Sequence, residues 1–418
     1  MTHYYLMNAN TRVLAFEYNR TDIGDEYTVL SVCEPAMLPI DLRKGDVTTA
    51  RLSDWVERRV IPVNRHHMEA VLSAINLQNH FDILCYSHGM SLNDTFWIQE
   101  EFEGLNFDAI NLYDNPFDEA LGWIAFTGIP SDISRHLSTP EITTEGMLPK
   151  YWHRISTNDI ILCKGGTEGY SNAGLEPFAE VMAYLIAKRI GINTIPYHLE
   201  LRNEKPVSIS RLFTTKDQGL LTAGRYLSFK EPDVRYISLQ VALEHMQSDF
   251  DSLAPFYEMC FFDYIIENGD RHLNNWGFLI DNARQTIAGF APLWDNGAAL
   301  DYERDEEVRA KLGFASFSVR YDFLRTCPIQ RDLAAKARTL LAVIGDGSLG
   351  RSCMEAINGF DRYETRVKPT LAFIEQRCRE FLQGIEQGHR KRRCVSESSI
   401  FDSISLIAVI SCRTELGI

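Results

Sequence analysis

The stretch Asn268-Gly269-Asp270-Arg271-His272-Leu273-Asn274-Asn275 constrains this chain more than any other, because of what stands on either side of it. Ahead of it, Phe256 to Ile266 is largely apolar and reads as a helix that anchors the stretch in a core. After it, Trp276 to Ile280 and Thr286 to Leu293 read as strands, and Asp281-Asn282-Ala283-Arg284-Gln285 supplies the turn between them. A hairpin of that length brings the chain back to where it began, so Asp295 in Leu293-Trp294-Asp295-Asn296-Gly297 is expected near Asn275.

An Asp, an Asn five residues on and a second Asp one hairpin later is the order that phosphoryl transfer uses. The Asp270 carboxylate would orient an attacking hydroxyl, as the catalytic base. The Asn275 amide oxygen and the Asp295 carboxylate would meet a magnesium ion on the phosphates of ATP. Further upstream, Asp159 to Lys164 reads as a strand ending in a lysine. Glu176-Pro177 opens a helix whose Phe178, Val181, Met182, Leu185, Ile186 and Ile190 share a buried face, and Gly191 ends it. Glu180 on that helix is placed to pair with Lys164 and hold the ammonium against phosphates. Taken singly, each is as readily a surface lysine or a solvated glutamate; the order Lys, helix Glu, Asp, Asn, Asp favours the functional reading.

The phosphate-covering loop is less marked. Thr143 to Lys150 contains one glycine, Gly146, does not match G-x-G-x-x-G, and reads equally well as an ordinary turn. Gly165-Gly166-Thr167-Glu168-Gly169 follows the lysine and reads as the link from strand to helix. Ser208 to Phe213 is a candidate strand and hinge, and order along the chain places Arg211 and Phe213 where backbone groups would meet adenine.

The remaining sequence narrows the setting. With 418 residues, 45% of them hydrophobic, the chain is long enough for two or three cores, and no apolar run approaches the roughly 18 residues of a membrane span. No secretory signal opens it, and its nine cysteines include no C-x-x-C pair, so a cytoplasmic protein with reduced thiols is expected. A formal charge of -15 argues against direct nucleic-acid binding by this chain alone. Asn64 is a candidate cap for a helix carrying Met68, Val71, Leu72 and Ile75 on one face, and the neighbouring His66 and His67 read as two solvated side chains.

Across residues 131 to 385 the chain resembles the HipA-like serine/threonine kinases, on the core Asp270-Arg271-His272 with Asn275 and Asp295, and on Gly191-Ile192-Asn193-Thr194-Ile195-Pro196 after the helix. The resemblance implies Asp270 as catalytic base, His272 as a structural member of the same catalytic loop, Asn275 and Asp295 as magnesium ligands, and Lys164 as the ATP-phosphate lysine. It also implies an antitoxin-like partner through which DNA would be contacted. The glycine loop departs from the family's G-x-Q-x-K, which leaves autophosphorylation unassigned. Gly269 to Asn275 is also similar to the catalytic loop of phosphoinositide kinases, although the acidic balance offers little to a membrane surface. A nucleotide-binding pseudokinase serving as an interaction module is the third reading. The expected fold class is α+β: a two-lobed protein-kinase-like fold with an additional N-terminal α/β domain. Its segments are that domain (1–130), a small lobe (131–225), a large lobe (226–388) with helices over Leu333 to Ile344 and Tyr363 to Ile385, and a basic and apolar tail (389–418).

Overall fold

The hairpin expected between Asn275 and Asp295 is present in a computed structural model of the chain. Gly277–Asp281 pairs antiparallel with Thr286–Phe290, Phe278 facing Phe290 and Asp281 facing Thr286. Gln218–Thr222 pairs with the other edge of Gly277–Asp281. Position 277 admits no side chain, since a Cβ would come within 2.2 Å of the Leu221 carbonyl oxygen. The structure describes residues 2–21, 24–60, 67–77, 80–133, 138–144, 146–157, 159–167, 174–231, 236–237, 239–300, 324, 327–393 and 410–411.

The chain forms two compact units, each assembled from separate stretches. The first comprises residues 1–165, 209–233 and 277–291, and so includes the hairpin just described. Its N-terminal part is a four-stranded antiparallel sheet in the order Gly24–Val32, Thr11–Thr21, Thr2–Asn8, Phe96–Glu100. Alternation along these strands sends Leu6, Leu14 and Phe16 into a core shared with Leu52, Trp55 and Val56 of the helix Thr49–Glu57. The helix Met68–Ile75 buries Met68, Val71 and Ile75, while Leu72 is half-buried. The residue before it is His67, in the left-handed region at φ 60; Asn64, the expected cap, and His66 lie outside the described residues. His67 is half-buried rather than solvated, and a Cβ at Gly128 would lie 2.6 Å from its Nδ1. A second hairpin pairs Lys150–Ser156 with Asp159–Lys164, and the Leu212 amide extends it by donating to the Ile160 carbonyl at 2.9 Å.

The second unit comprises residues 166–208, 234–276 and 292–418. Its helix Glu176–Arg189 carries Pro177 in the first turn, buries Phe178, Val181, Met182 and Ile186, and is followed by Gly191 at φ 65. Leu185 is half-buried. Its described residues also form the helices Leu239–Asp249, Ala254–Ile266, Gln330–Gly345, Ser348–Ala356 and Asp361–Arg393. The basic run ending at Arg393, expected to open a tail, continues the last helix instead. Most of the apolar run Ile404 to Ile410 lies outside the described residues. Among the described residues no helix is long and apolar enough to cross a membrane.

Candidate active site

The second unit is organised around one buried guanidinium. Asp263 stands in the otherwise apolar buried face of Ala254–Ile266 at 2% exposure, where an unpaired carboxylate would be costly. Arg271 meets it with Nε at 3.2 Å and Nη2 at 3.1 Å. The same guanidinium donates to the carbonyls of Asn275 at 2.8 Å and Trp294 at 2.5 Å and to Asn296 Oδ1 at 2.6 Å. Loop and post-hairpin segment are therefore joined on either side of Asn275 and Asp295. Burial opposes the charge on Arg271, but the carboxylates of Asp263, Asp295 and Glu180 outweigh it, and its pKa lies above the ordinary arginine value.

Within the loop, the helix ends at Glu267, in the left-handed region at φ 53, whose amide returns to the Asp263 carbonyl. The Asn268 side chain accepts from the Asp270 amide at 3.1 Å, and Asn275 Nδ2 donates to the Asp270 carbonyl at 2.8 Å. Asp270 is thus held by both backbone groups while the residue itself is exposed. Asn275 is buried, and because its amide nitrogen is used on Asp270, its amide oxygen is the atom left for a cation. His272 is exposed, and its Nδ1 accepts from the Asn274 amide at 3.2 Å.

Asp295 is half-buried at φ 55, a backbone state uncommon outside glycine and asparagine. Further hydrogen bonds hold the segment that places it. Leu293 exchanges backbone hydrogen bonds with Asn193 and Ile195, the Asp295 amide donates to the Tyr197 hydroxyl at 3.3 Å, and the Asn296 amide donates to Glu180 Oε2 at 2.8 Å. Burial, with Glu180 and Asp295 close by, raises the Tyr197 pKa far above its usual value, so this hydroxyl stays neutral. Glu180, expected as a lysine partner, is fully buried and accepts from the segment that carries Asp295. Gly297 makes room for it, since a Cβ there would lie 3.2 Å from Glu176 Cβ and 3.6 Å from Glu180 Oε1.

Glu176 has its own task. Its carboxylate accepts from the Thr167 amide at 3.2 Å and hydroxyl at 2.5 Å and from the Gly174 amide at 2.8 Å. It thereby closes the two ends of the segment after Gly165-Gly166; residues 168–173 of that segment lie outside the described residues.

The other expected site residues belong to the first unit. Lys164 ends its strand and is register partner to Lys150, so the two side chains stand on one face of the hairpin; they are 6% and 5% exposed. Gly146 has φ 96, and a Cβ there would sit 2.3 Å from Lys150 Nζ, so the glycine leaves room for that ammonium. Arg211 is exposed and forms a forked ion pair with Asp159, Nε to Oδ1 at 3.1 Å and Nη2 to Oδ2 at 3.2 Å. Asp159 begins the strand that Lys164 ends, roughly 16 Å away at strand rise. Phe213 is half-buried.

Asn275 and Asp295 offer two oxygen donors, in keeping with a magnesium ion that takes one or two carboxylate-type ligands from protein and the rest from phosphates and water. Among the described residues no group of three or more histidine, cysteine, aspartate or glutamate side chains is placed to hold a metal. Sequence reasoning missed Asp263, Glu176, Tyr197 and Asn296, and held Lys150 only as the alternative to Lys164. Asp263 left a signal, a lone carboxylate in an apolar helix; Lys150 left only a three-residue gap from Gly146.

Residues 142–347 match the HipA-like C-terminal domain family. The fold is similar to that of a chain in the Shewanella oneidensis MR-1 toxin–antitoxin complex of HipA, HipB and operator DNA, with a TM-score of 0.58 at 12% identity, covering 94% of this chain and 100% of that one. It is also similar to the Helicobacter pylori proinflammatory kinase CtkA, with a TM-score of 0.41 at 17% identity, covering 59% of this chain and 95% of that one. The sequence has no match among curated proteins.

Proposed function

The chain belongs to the HipA-like family through residues 142–347, and on that premise we propose that it is an ATP-dependent serine/threonine protein kinase requiring magnesium. The observation that carries the reading is the Arg271 hub. One buried guanidinium binds the backbone of Asn275 and both neighbours of Asp295, which favours a fixed pair of oxygen ligands prepared before any ligand arrives. Bound magnesium and ATP would supply the transferable phosphoryl group and the neutralising charge.

The residues divide the remaining work. Asp270, pinned through its backbone and exposed at its side chain, orients a substrate serine or threonine hydroxyl and takes its proton. Asn275, with its amide nitrogen engaged, would offer its oxygen to the metal, and Asp295 would offer its carboxylate. Lys164 and Lys150 offer two positive groups on one strand pair to phosphate oxygens, and Gly146 keeps side-chain bulk away from the second. A two-lobed kinase arrangement is part of this reading. So is an antitoxin-like partner, since the solved complex sharing this fold contains HipB and operator DNA.

The test is incubation of the purified chain with labelled ATP, magnesium and host lysate, followed by identification of the labelled species. Labelled protein at serine or threonine is the expected result. Labelled lipid would replace the reading with a phosphoinositide-type one. Magnesium-dependent nucleotide binding without any transfer would leave a pseudokinase binding module.

A further inference from the structure

Two adjacent residues of the second unit are held in arrangements that folding alone disfavours. Asp295 takes φ 55, a region that L side chains enter at a cost. The next residue, Asn296, is fully buried, and among the described residues its side-chain nitrogen meets no hydrogen-bond acceptor. The Asn296 amide has no relief in turning over. That would set its NH2 group against the Arg271 guanidinium, donor against donor, where Nη2 now meets Oδ1 at 2.6 Å, and would orphan the oxygen instead.

What the pair gains is a grip on both sides of Asp295. Arg271 Nη1 donates to the Trp294 carbonyl at 2.5 Å and Nη2 to Asn296 Oδ1 at 2.6 Å, so one planar guanidinium spans residue 295. Only the second of these bonds depends on the identity of a side chain in the gripped segment, since Trp294 offers its backbone. The Asn296 backbone amide donates to Oε2 of Glu180 at 2.8 Å, a fully buried residue of the helix Glu176–Arg189. Asn296 thus ties that helix to the Arg271 hub, one residue from the candidate metal ligand. The hub keeps other anchors without it, because Arg271 also holds Asp263 at 3.1 Å and the Asn275 carbonyl at 2.8 Å. All of these residues belong to the same compact unit.

We propose that Asn296 is a positioning residue for Asp295, its Oδ1 under Arg271 keeping the turn at Asp295 left-handed and so fixing the placement of that carboxylate relative to the Asn275 amide oxygen. The proposal rests on the reading of Asn275 and Asp295 as magnesium ligands. Selection for stability alone would not retain an orphaned buried donor beside a strained residue; such costs gather where geometry serves a ligand. Aspartate at 296 would supply the acceptor without the orphaned donor, but it would bury a further negative charge beside Asp295 and Glu180. Asparagine gives Arg271 its acceptor and adds no charge.

The experiment compares the full chain with Asn296→Ala and, should that variant not fold, with Asn296→Ser, whose hydroxyl oxygen stands one bond nearer the backbone than Oδ1. Lys336→Ala is the control. It removes a bond to the Ile190 carbonyl at 2.6 Å and an ion pair with Glu258 at 3.1 Å in the same unit, neither of them a contact of the candidate site. ATP binding is titrated at varied magnesium and also without metal, and a urea midpoint is measured on each preparation. The Asn296 variant loses an acceptor and an orphaned donor together, so its urea midpoint should fall no further than that of the control. Its magnesium half-saturation should nonetheless rise about three- to tenfold, at or below the low end of what losing a supporting partner costs a metal site, with metal-free nucleotide binding unchanged. Lys336→Ala should keep the wild-type magnesium midpoint. A magnesium midpoint in the Asn296 variant equal to that of the control overturns the proposal and leaves the kinase reading standing, as does an equal loss of metal-free and metal-dependent binding. A magnesium shift accompanied by a urea midpoint below that of the control makes Asn296 a folding residue and overturns the proposal too. No magnesium dependence in the wild-type chain overturns both.

Discussion

The two regions that carry the candidate chemistry handle charge in opposite ways. Around Arg271 the charges are of both signs and interlocked, and the guanidinium at 2% side-chain exposure reaches a carboxylate, two carbonyls and an amide oxygen of its own unit. On the Lys150 and Lys164 hairpin, two like charges are register partners at 5% and 6% exposure. The first region is finished by folding. The second brings two lysines to one face of a strand pair, the two proposed above to meet phosphate oxygens.

The contrast is most severely tried at Asp270, which belongs to the rigid region yet is exposed and has its backbone held independently of its carboxylate. Asp270→Asn should lower transfer by about two to four orders of magnitude, the range of general-base contributions, with nucleotide affinity and melting temperature close to wild type. Transfer kinetics, calorimetric ATP titration and thermal melting on one preparation decide it. Retained transfer would remove Asp270 from catalysis, and a joint fall of affinity and melting temperature would make it a folding residue.

Arg271→Ala should act oppositely, mainly on stability. It leaves the buried Asp263 carboxylate without its partner, a loss of about 3–5 kcal/mol by analogy with other broken buried pairs. Urea unfolding measures it. A loss below about 1 kcal/mol, the usual worth of an exposed ion pair, would mean that the hub is not the organising element of this unit.

Lys164→Ala and Lys150→Ala sharpen the other side. Each removes one of the two lysines proposed to meet phosphate oxygens. The rise in melting temperature on adding ATP and magnesium should shrink in both. If either variant melts lower without nucleotide and responds normally to ATP, that lysine is a structural residue and the contrast fails for it.

Much of the rigid region was legible because it is local. The hairpin follows from two apolar runs around a five-residue turn, and Asp270, Asn275 and Asp295 follow from spacing. The partners of Arg271 were not legible, since Asp263, Trp294 and Asn296 are 8, 23 and 25 residues away and only tertiary packing selects them. The lysine pair is a matter of strand register, invisible until Lys150–Ser156 is known to be a strand. Arg211 was placed by order alone, and the structure engages its side chain with Asp159 at the far end of the Lys164 strand. The bond from Asn8 to the Asn282 carbonyl lay beyond sequence reasoning because it joins positions 8 and 282, and a turn rich in Asn and Asp already has a sufficient local explanation.

The smallest effect belongs to Tyr197, where the rigid region touches the candidate metal ligand directly. Its hydroxyl accepts from the Asp295 amide at 3.3 Å, a long bond, and burial among Glu180 and Asp295 keeps the phenol protonated. Tyr197→Phe keeps the ring packing and removes only the acceptor, so the expected stability loss is about 0.5–1.5 kcal/mol, that of one net hydrogen bond. If the bond also helps hold Asp295 at φ 55, magnesium-dependent ATP binding should weaken by a few-fold while metal-free binding stays the same. A structural role alone would lower the melting temperature and leave the magnesium titration unmoved. The two titrations on Tyr197→Phe, set beside its urea midpoint, therefore show whether rigidity in the second unit extends to the metal ligand itself or stops at the Arg271 hub.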